Sequence, residues 1–208
     1  MMPRGGSWRF WAALALAPLL CAQSTRPRDL ALGKFLVASR DLEDPHFAHT
    51  VVLLVEYEGD GVVGLVVNRR SSIPISRVLA MKAARGRRDP VYAGGPVELT
   101  DVMALAQLAE APSEGGRVFN DVYLLRTEAP LAKAMGTPGG IFRVFLGYAG
   151  WTAAQLRHET ETGSWFIFPA DAGMVFDRDP GSLWDRLIER AESRFAWSPF
   201  SVVRRNSE

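Results

Sequence analysis

Apolar runs separated by polar turn residues dominate the first third of the chain after its N-terminal segment. Residues 34–39 form a short apolar run. Residues 50–57 (TVVLLVEY) form a longer one, rich in β-branched side chains, which predicts a strand buried on both faces. An Asp-Gly pair follows, typical of a tight hairpin turn. The returning run at residues 62–68 contains Gly64, which indicates a bulge or a close backbone approach.

Helical periodicity is found in three places. In residues 74–84, three apolar side chains recur at the i, i+3, i+4 spacing, which predicts a helix. Thr152 and Gln155 fit a capping box, in which each side chain bonds to the other residue's backbone N–H, and this predicts a helix to about residue 161. A last helix is predicted to begin at Asp179 or Ser182, where apolar residues then repeat every four positions.

Strand candidates outnumber helices along the chain. Five further segments have strand character: residues 90–93, 102–108, 118–125, 141–148 and 165–169. Strands and helices do not alternate regularly, as they do in doubly wound α/β folds. The pattern therefore predicts an α+β fold.

The N-terminus has the pattern of a secretory signal peptide. Arg4 and Arg9 precede an apolar run that ends near Ala22, and the run is too short to span a bilayer. We therefore expect residues 1–22 to be removed and the chain to be exported to the periplasm. Two alternatives remain open, a true start near Asp29 and lipid attachment at Cys21.

Composition and charge exclude several classes of function. The chain has 208 residues, 48% of them hydrophobic and 23% charged, which fits one globular domain. Its formal net charge of +1 gives no overall attraction to polyanions. The single cysteine, Cys21, lies in the predicted signal peptide. Removing that segment excludes disulfides, thiol catalysis and zinc–thiolate sites in the mature chain.

Several motifs occur together in a pattern that resembles the YqgE/AlgH family of bacterial proteins. They are the stretch at residues 33–70, Gly94-Gly95-Pro96-Val97, Gly147-Tyr148-Ala149-Gly150-Trp151 with Gln155 and Leu156, Gly163-Ser164-Trp165, and Leu183-Trp184. Each motif is unspecific alone, and the combination carries the resemblance. It covers residues 30–192, between a leader at residues 23–32 and a tail at residues 193–208.

The resemblance implies one compact α+β domain, with a mixed, barrel-like curled sheet flanked by helices. It also implies a protein of no established biochemical activity, from a family described as transcriptional regulators. Family members are usually cytoplasmic, so the predicted export of this chain departs from the family. That departure argues against a role facing DNA.

Two glycine-aromatic segments form the first candidate site. Each follows a predicted strand, where loops commonly carry binding residues. Glycines let a ligand approach the backbone, and aromatic rings offer stacking faces. The alternative is that the glycines form tight turns and the rings fill the core. The candidate residues for a small-molecule or protein ligand are Asn68, Gly94, Gly95, Pro96, Gly147, Tyr148, Gly150 and Trp151.

A basic segment at residues 69–88 forms the second candidate site. It contains seven basic residues and no acidic one: Arg69, Arg70, Arg77, Lys82, Arg85, Arg87 and Arg88. Such a segment can contact phosphates or another anionic surface. The interleaved aromatic residues typical of single-strand binding are missing. A solvated surface is the alternative.

Asp44, His46 and His49 form the third candidate, a weak metal site. Carboxylate and imidazole groups hold transition metals or act as acid and base, and on a helix the two histidines would share one face. The alternative is a pair of surface histidines in a turn. His158-Glu159 begins a zinc-binding motif, but Thr162 replaces its second histidine. No cofactor is predicted, and neither a nucleophile elbow nor a phosphate-binding loop is found in the sequence.

Three functions follow from these candidates. The first is a non-enzymatic binding or regulatory domain that recognises a small molecule or a protein through the glycine-aromatic segments. The second is a nucleic-acid-binding regulator that uses the basic segment, which requires that the chain is not exported. The third is an uncharacterised hydrolase or metal-dependent enzyme centred on the histidines.

Overall fold

The computed structural model describes residues 29–196, which form ten strands and five α-helices. The strands are β1 (Lys34–Ala38), β2 (Val51–Glu58), β3 (Gly61–Val66), β4 (Arg70–Pro74), β5 (Pro90–Ala93), β6 (Val97–Gln107), β7 (Gly116–Phe119), β8 (Val122–Leu125), β9 (Ile141–Thr152) and β10 (Trp165–Pro169). The helices are α1 (Ile75–Val78), α2 (Glu128–Gly136), α3 (Ala153–Glu161), α4 (Ala172–Val175) and α5 (Leu183–Ala196). The predicted signal peptide, with Cys21, lies outside the described residues.

All ten strands belong to one sheet. Its main path runs β10-β1-β2-β3-β9-β6-β8-β7, and β4 and β5 join it beside β9. Neighbouring strands are antiparallel, except that β5 runs parallel to β9, so the sheet is mixed. The long strand β9 is the hub, because its first part pairs with β5 and β6 and its last part pairs with β3.

The sheet curls until β7, at one end of the path, returns to the β1–β2 pair. Gly33, just before β1, donates its amide to the carbonyl oxygen of Leu54 in β2, at 3.0 Å. The same glycine packs closely against β7, where a Cβ on Gly33 would lie 2.9 Å from the Cβ of Phe119. The protein is therefore a single α+β domain with a curled half-barrel sheet and several helices, as the resemblance implies.

The apolar runs place β1 and β2 in the core, which confirms the strand predictions there. The first five residues of β2 are buried without alternation, so both faces of this strand are covered. Helix α5 packs near β1 and buries Leu187 and Ile188. The indole N–H of Trp184 donates to the carbonyl oxygen of Ala38 at 2.8 Å, which fixes the helix against the strand.

The helix predicted at residues 74–84 is wrong. Only Ile75–Val78 is α-helical, Lys82–Ala84 forms a 3₁₀ turn, and the backbone between them is extended. Ile75 and Ala84 are both buried in the same cluster, beside α2. At about 100° per residue, positions nine apart lie on opposite faces of a helix, so one continuous helix cannot bury both side chains against one core.

Three strand predictions have wrong bounds. Residues 118–125 form two strands of a hairpin, β7 and β8, and Asn120 takes the left-handed conformation at the turn, with a φ of 43°. Asparagine tolerates that conformation better than most residues, which is the signal that the apolar pattern hid. Strand β6 begins at Val97 and β9 continues to Thr152, each well beyond the predicted run.

The ends of the helices follow local chemistry. The hydroxyl of Thr152 accepts from the amide of Gln155 at 3.1 Å, which confirms half of the predicted capping box. The other half is wrong, because the Gln155 side chain donates to Glu159 instead of reaching back. Asp171 caps α4 in the same way as Thr152 caps α3. Within residues 29–196, no helix is both long and apolar enough to cross a bilayer.

Candidate functional site

A groove opens where the β1–β2 loop (residues 39–50) meets the end of β9, the start of β6, and α3. Its volume is about 270 Å³. The lining combines apolar and aromatic side chains with four polar ones, and ligand sites likewise pair apolar walls with placed polar groups. The residues that line the groove are Leu42, Asp44, Phe47, Pro96, Val97, Gly150, Trp151, Gln155, Glu159, Ser164 and Trp165.

Three rings form an aromatic floor for the groove: Phe47, Trp151 and Trp165. Phe47 stacks on Trp151, with ring centroids 5.4 Å apart, and meets Trp165 edge-on at 5.5 Å. The two indoles cross each other nearly at right angles, at 6.1 Å. Edge-to-face and offset arrangements are the favoured geometries for aromatic pairs, so the three rings stabilise one another.

Glu159 lies at the edge of this floor and fixes both indoles. Its Oε2 accepts from the indole N–H of Trp165 at 2.8 Å and from that of Trp151 at 3.1 Å, and its Oε1 accepts from the side chain of Gln155 at 2.9 Å. Trp151 lies at the end of β9 and Trp165 at the start of β10. Helix α3, which connects these two strands, carries Glu159 to both indoles. Among the described residues, no basic side chain pairs with it.

The β1–β2 loop carries Asp44 and Phe47 to the groove and is held by Arg69. The guanidinium donates to the carbonyl oxygens of His46 at 2.7 Å, Ala48 at 3.1 Å and Pro45 at 3.3 Å. Burial lowers the pKa of Arg69, and the nearby charge of Asp44 offsets part of that change. Arg69 is therefore a structural brace for the loop, and its N–H groups are used inside the protein.

Asn68 has a similar structural role at the other end of the loop. Its side-chain oxygen accepts from the amide of Val51 at 2.9 Å, and its side-chain nitrogen donates to the carbonyl oxygen of His49 at 3.0 Å. The side chain is buried, and these bonds join the end of the loop to the segment just after β3. Asn68 does not line the groove.

The two glycine-aromatic segments pack against each other, and they do not form two open loops. Residues 147–151 lie inside β9, and Gly147 takes the left-handed conformation there, with a φ of 67°. A Cβ on Gly94 would lie 2.2 Å from the carbonyl oxygen of Gly147, and one on Gly95 would lie 2.1 Å from the carbonyl carbon of Tyr148. These glycines allow backbone to contact backbone.

The groove gathers part of the predicted ligand set. Pro96, Gly150 and Trp151 line it together, and Asp44, predicted as a metal ligand, lines it as well. The predicted ligand residues outside the lining are Asn68, Gly94, Gly95, Gly147 and Tyr148. The close backbone contact of the glycines nevertheless positions the groove, because it places Pro96 and Val97 beside the end of β9.

Comparison with known proteins places this fold and these motifs in one family. A family model described as AlgH-like, DUF179, matches residues 35–196. The chain belongs to the AlgH-like family. The match includes the β1–β2 loop, the glycine segments and α3, so all the residues that line the groove fall within the family domain.

Relatives and solved structures agree with that assignment. A UPF0301 protein of Streptomyces avermitilis is 34% identical over 174 residues, 79% of this chain and 88% of the relative. One from Azoarcus sp. is 35% identical over 153 residues, 70% of this chain and 81% of the relative.

The solution structure of the AlgH protein from Pseudomonas aeruginosa matches with a TM-score of 0.61 and 26% identity, over 85% of this chain and 94% of that one. The crystal structure of protein DIP2367 from Corynebacterium diphtheriae matches with a TM-score of 0.64 and 25% identity, over 78% and 87%. The AlgH-like family is one of unknown function.

The seven basic side chains at residues 69–88 of this AlgH-like domain fall into two groups, those bonded within the protein and those without an internal partner. Arg69 holds the β1–β2 loop, and Arg87 pairs with Asp89 at 2.8 Å while donating to the carbonyl oxygen of Met135 at 2.9 Å. The other five side chains lie on exposed residues and make no hydrogen bond or ion pair within the described chain: Arg70, Arg77, Lys82, Arg85 and Arg88.

Asp44, His46 and His49 do not converge. They lie in a non-helical turn, so the expected helical face for the two histidines is wrong. Asp44 Oδ1 accepts from the amide of His46 at 2.8 Å, and the His49 ring packs against Trp184 with centroids 4.2 Å apart. Within residues 29–196, no three His, Cys, Asp or Glu side chains are grouped to hold a metal ion.

A second cavity, of about 440 Å³, lies between the end of β2 and the β7–β8 hairpin, and no sequence motif indicates it. Four of its five charged side chains are bonded within the protein, and Glu58 is the exception among the described residues. Arg126 pairs with Glu56 at 2.8 Å, and Thr127 donates to Glu114 at 2.7 Å. This cavity therefore holds charges of both signs, whereas the lining of the groove holds two carboxylates and no cation.

Arg143 is a buried cation that the sequence analysis also missed. It donates to the carbonyl oxygens of Val67, at 3.2 Å, and Asp177, and its guanidinium lies 4.4 Å from the ring centroid of Tyr92. Burial lowers the pKa of Arg143, and Tyr92 and Asp177 act in the opposite direction. Its donors bond to carbonyl oxygens of the protein, so Arg143 has a structural role.

Proposed function

We propose that this AlgH-like protein is a non-enzymatic binding or regulatory domain, and that the groove is its ligand site. The observation that carries the proposal is the aromatic floor held by Glu159, at a place where Pro96, Gly150 and Trp151 meet. Phe47 and the exposed edges of the two indoles supply apolar contact, and Asp44, Gln155 and Glu159 supply a few polar groups that orient a ligand. The ligand is a small molecule or an exposed segment of a protein.

Filling the groove is expected to abolish ligand binding while the fold remains intact. Gly150 lies in β9, and a Cβ added there meets only the Tyr148 ring, at 3.5 Å and beyond. The variant Gly150→Leu therefore adds a side chain at a residue that lines the groove, without a close contact to relieve. In a thermal-shift screen of metabolites, a ligand at 100 times its Kd raises Tm by about 5–10 °C. We expect Gly150→Leu to lose that shift.

Gly61→Val is the matched control for this screen. Gly61 lies in the neighbouring strand β3, has free space for a Cβ and does not line the groove. We expect the control to keep the full shift in Tm. A ligand that stabilises Gly150→Leu as strongly as the parent protein binds elsewhere, and that result would sink the proposed site.

The second hypothesis is that the protein is a nucleic-acid-binding regulator that uses the basic segment. Five exposed cations without internal partners favour it: Arg70, Arg77, Lys82, Arg85 and Arg88. Two of the seven predicted contacts, Arg69 and Arg87, are used within the protein. We also propose that the chain is exported through residues 1–22, which removes it from nucleic acid and leaves the groove as the favoured site.

A further inference from the structure

The lining of the groove carries negative charge and no cationic side chain, although Arg69, outside the lining, lies near enough to Asp44 for their charges to interact. Two carboxylates, Asp44 and Glu159, line the groove, and the lining contains no Lys, Arg or His. Glu159 is half-buried and is bonded only by neutral N–H groups. Carboxylates in partly buried surroundings attract a cation more strongly than exposed ones, because solvent screens the charge less there.

Both carboxylates keep an acceptor site for a ligand. Oε1 of Glu159 accepts one hydrogen bond, from Gln155, and a carboxylate oxygen can accept two. Asp44 Oδ1 accepts from the amide of His46, and no hydrogen bond from the described residues reaches its Oδ2. Arg69 is affected by the charge of Asp44, but its donors bond to three carbonyl oxygens of the loop.

The walls of the groove suit the apolar part of such a ligand. Pro96, Val97 and the aromatic floor offer apolar contact next to the two carboxylates. A volume of about 270 Å³ accepts a group of side-chain size, such as an alkylammonium or an alkylguanidinium. An organic cation presents charge at one end and hydrocarbon at the other, which is the combination that these walls can bind.

We propose that the groove binds the cationic end of its ligand, an ammonium or guanidinium group carried on a short alkyl chain. The proposal rests on the function proposed above and names the ligand class for the same groove. The cation donates to Oε1 of Glu159 and to Asp44, and its alkyl chain lies on the aromatic floor. The second cavity does not compete for this role, because Arg117 and Arg126 line it beside its glutamates.

Titration of the purified protein with small probes tests the proposal. The cations are methylguanidinium, n-butylammonium and a blocked Gly-Arg-Gly peptide. N-methylurea and n-butanol are the uncharged isosteres, and butyrate is the anion. Dissociation constants are read from the backbone amide shifts of Gly150 and Gln155 in ¹H–¹⁵N spectra. We expect methylguanidinium and n-butylammonium each to bind at least about tenfold more tightly than its isostere, because the isostere lacks the charge-assisted hydrogen bond.

Charge-removing variants complete the test. Glu159→Gln keeps an acceptor oxygen for the indoles, and we expect it to weaken cation binding about tenfold or more. Glu161→Gln, on an exposed residue of the same helix outside the groove lining, is the matched control and leaves binding unchanged. If Glu159→Gln fails to fold, Asp44→Asn replaces it, because Asp44 is exposed in a turn. Tighter binding of the blocked peptide than of methylguanidinium identifies a polypeptide side chain as the source, and the reverse identifies a free small molecule.

The outcomes distinguish the proposal of a cationic ligand from the proposal that the groove is the ligand site. Equal binding of cations and isosteres, an absence of saturable shifts with all three cations, or full binding by Glu159→Gln overturns the cationic ligand. If a neutral or anionic metabolite then stabilises the parent but not Gly150→Leu, the groove remains the ligand site. If cations bind Gly150→Leu as well as the parent, both proposals fail.

Discussion

Replacing Gly95 with alanine is expected to destabilise the domain by about 3 kcal/mol or more, enough to unfold much of it. The added Cβ lies 2.1 Å from the carbonyl carbon of Tyr148, 2.3 Å from its oxygen and 2.4 Å from the amide nitrogen of Ala149. These are backbone atoms of the hub strand β9, so no side chain can rotate away to relieve the contact. Either β6 or β9 has to move.

Equilibrium unfolding in urea measures this effect, with Gly150→Ala as the matched control. Gly150 lies in the same sheet, but its added Cβ makes only ordinary contacts. We expect the control to stay within about 1 kcal/mol of the parent. A Gly95→Ala protein with the midpoint and slope of the parent would show that the two segments do not pack as described.

Replacing Glu159 with alanine is expected to cost about 2–5 kcal/mol. The carboxylate is the hydrogen-bond acceptor for the indole N–H groups of Trp151 and Trp165, and both rings are buried. A buried donor left without an acceptor costs about 1–3 kcal/mol, and this variant leaves two of them. The aromatic floor should loosen as well, because Glu159 fixes both rings.

Glu159→Gln separates this bonding role from the charge. One oxygen, Oε2, accepts from both indoles, and a glutamine can place its single oxygen there. We expect the glutamine variant to lose only about 1 kcal/mol, measured by the same urea titration. Equal losses for Glu159→Ala and Glu159→Gln would contradict the assignment of Oε2 as the shared acceptor.

The fold could be predicted in outline because much of its information is local. The apolar run of β2, the Asp-Gly turn before β3 and the Thr152 cap of α3 each depend on adjacent residues. The helix at residues 74–84 failed for the opposite reason. Its local spacing is helical, but the burial of both Ile75 and Ala84 in one cluster is a tertiary condition that overrides local propensity.

The groove was predicted only in part because it is assembled from distant segments. The sequence identified Trp151 by its place in a glycine-aromatic motif, but neither Phe47 nor Trp165 was among the candidate ligand residues. Glu159 drew notice as part of an incomplete zinc motif. Its true partners are two indoles, from the end of β9 and the start of β10, and no spacing rule connects them. The pairing of β6 with β9 determines that Gly94 and Gly95 contact the backbone of β9, and this pairing is a tertiary feature.

One measurement tests most directly whether the groove is the ligand site. Indole N–H resonances are followed in ¹H–¹⁵N spectra while a ligand that stabilises the domain is added. Trp151 and Trp165 donate to Glu159 in the groove, whereas Trp184 donates to Ala38 under α5. We predict saturable shifts of the first two resonances and a constant position for the third. Saturation of binding with both groove indoles unmoved would contradict the proposed site.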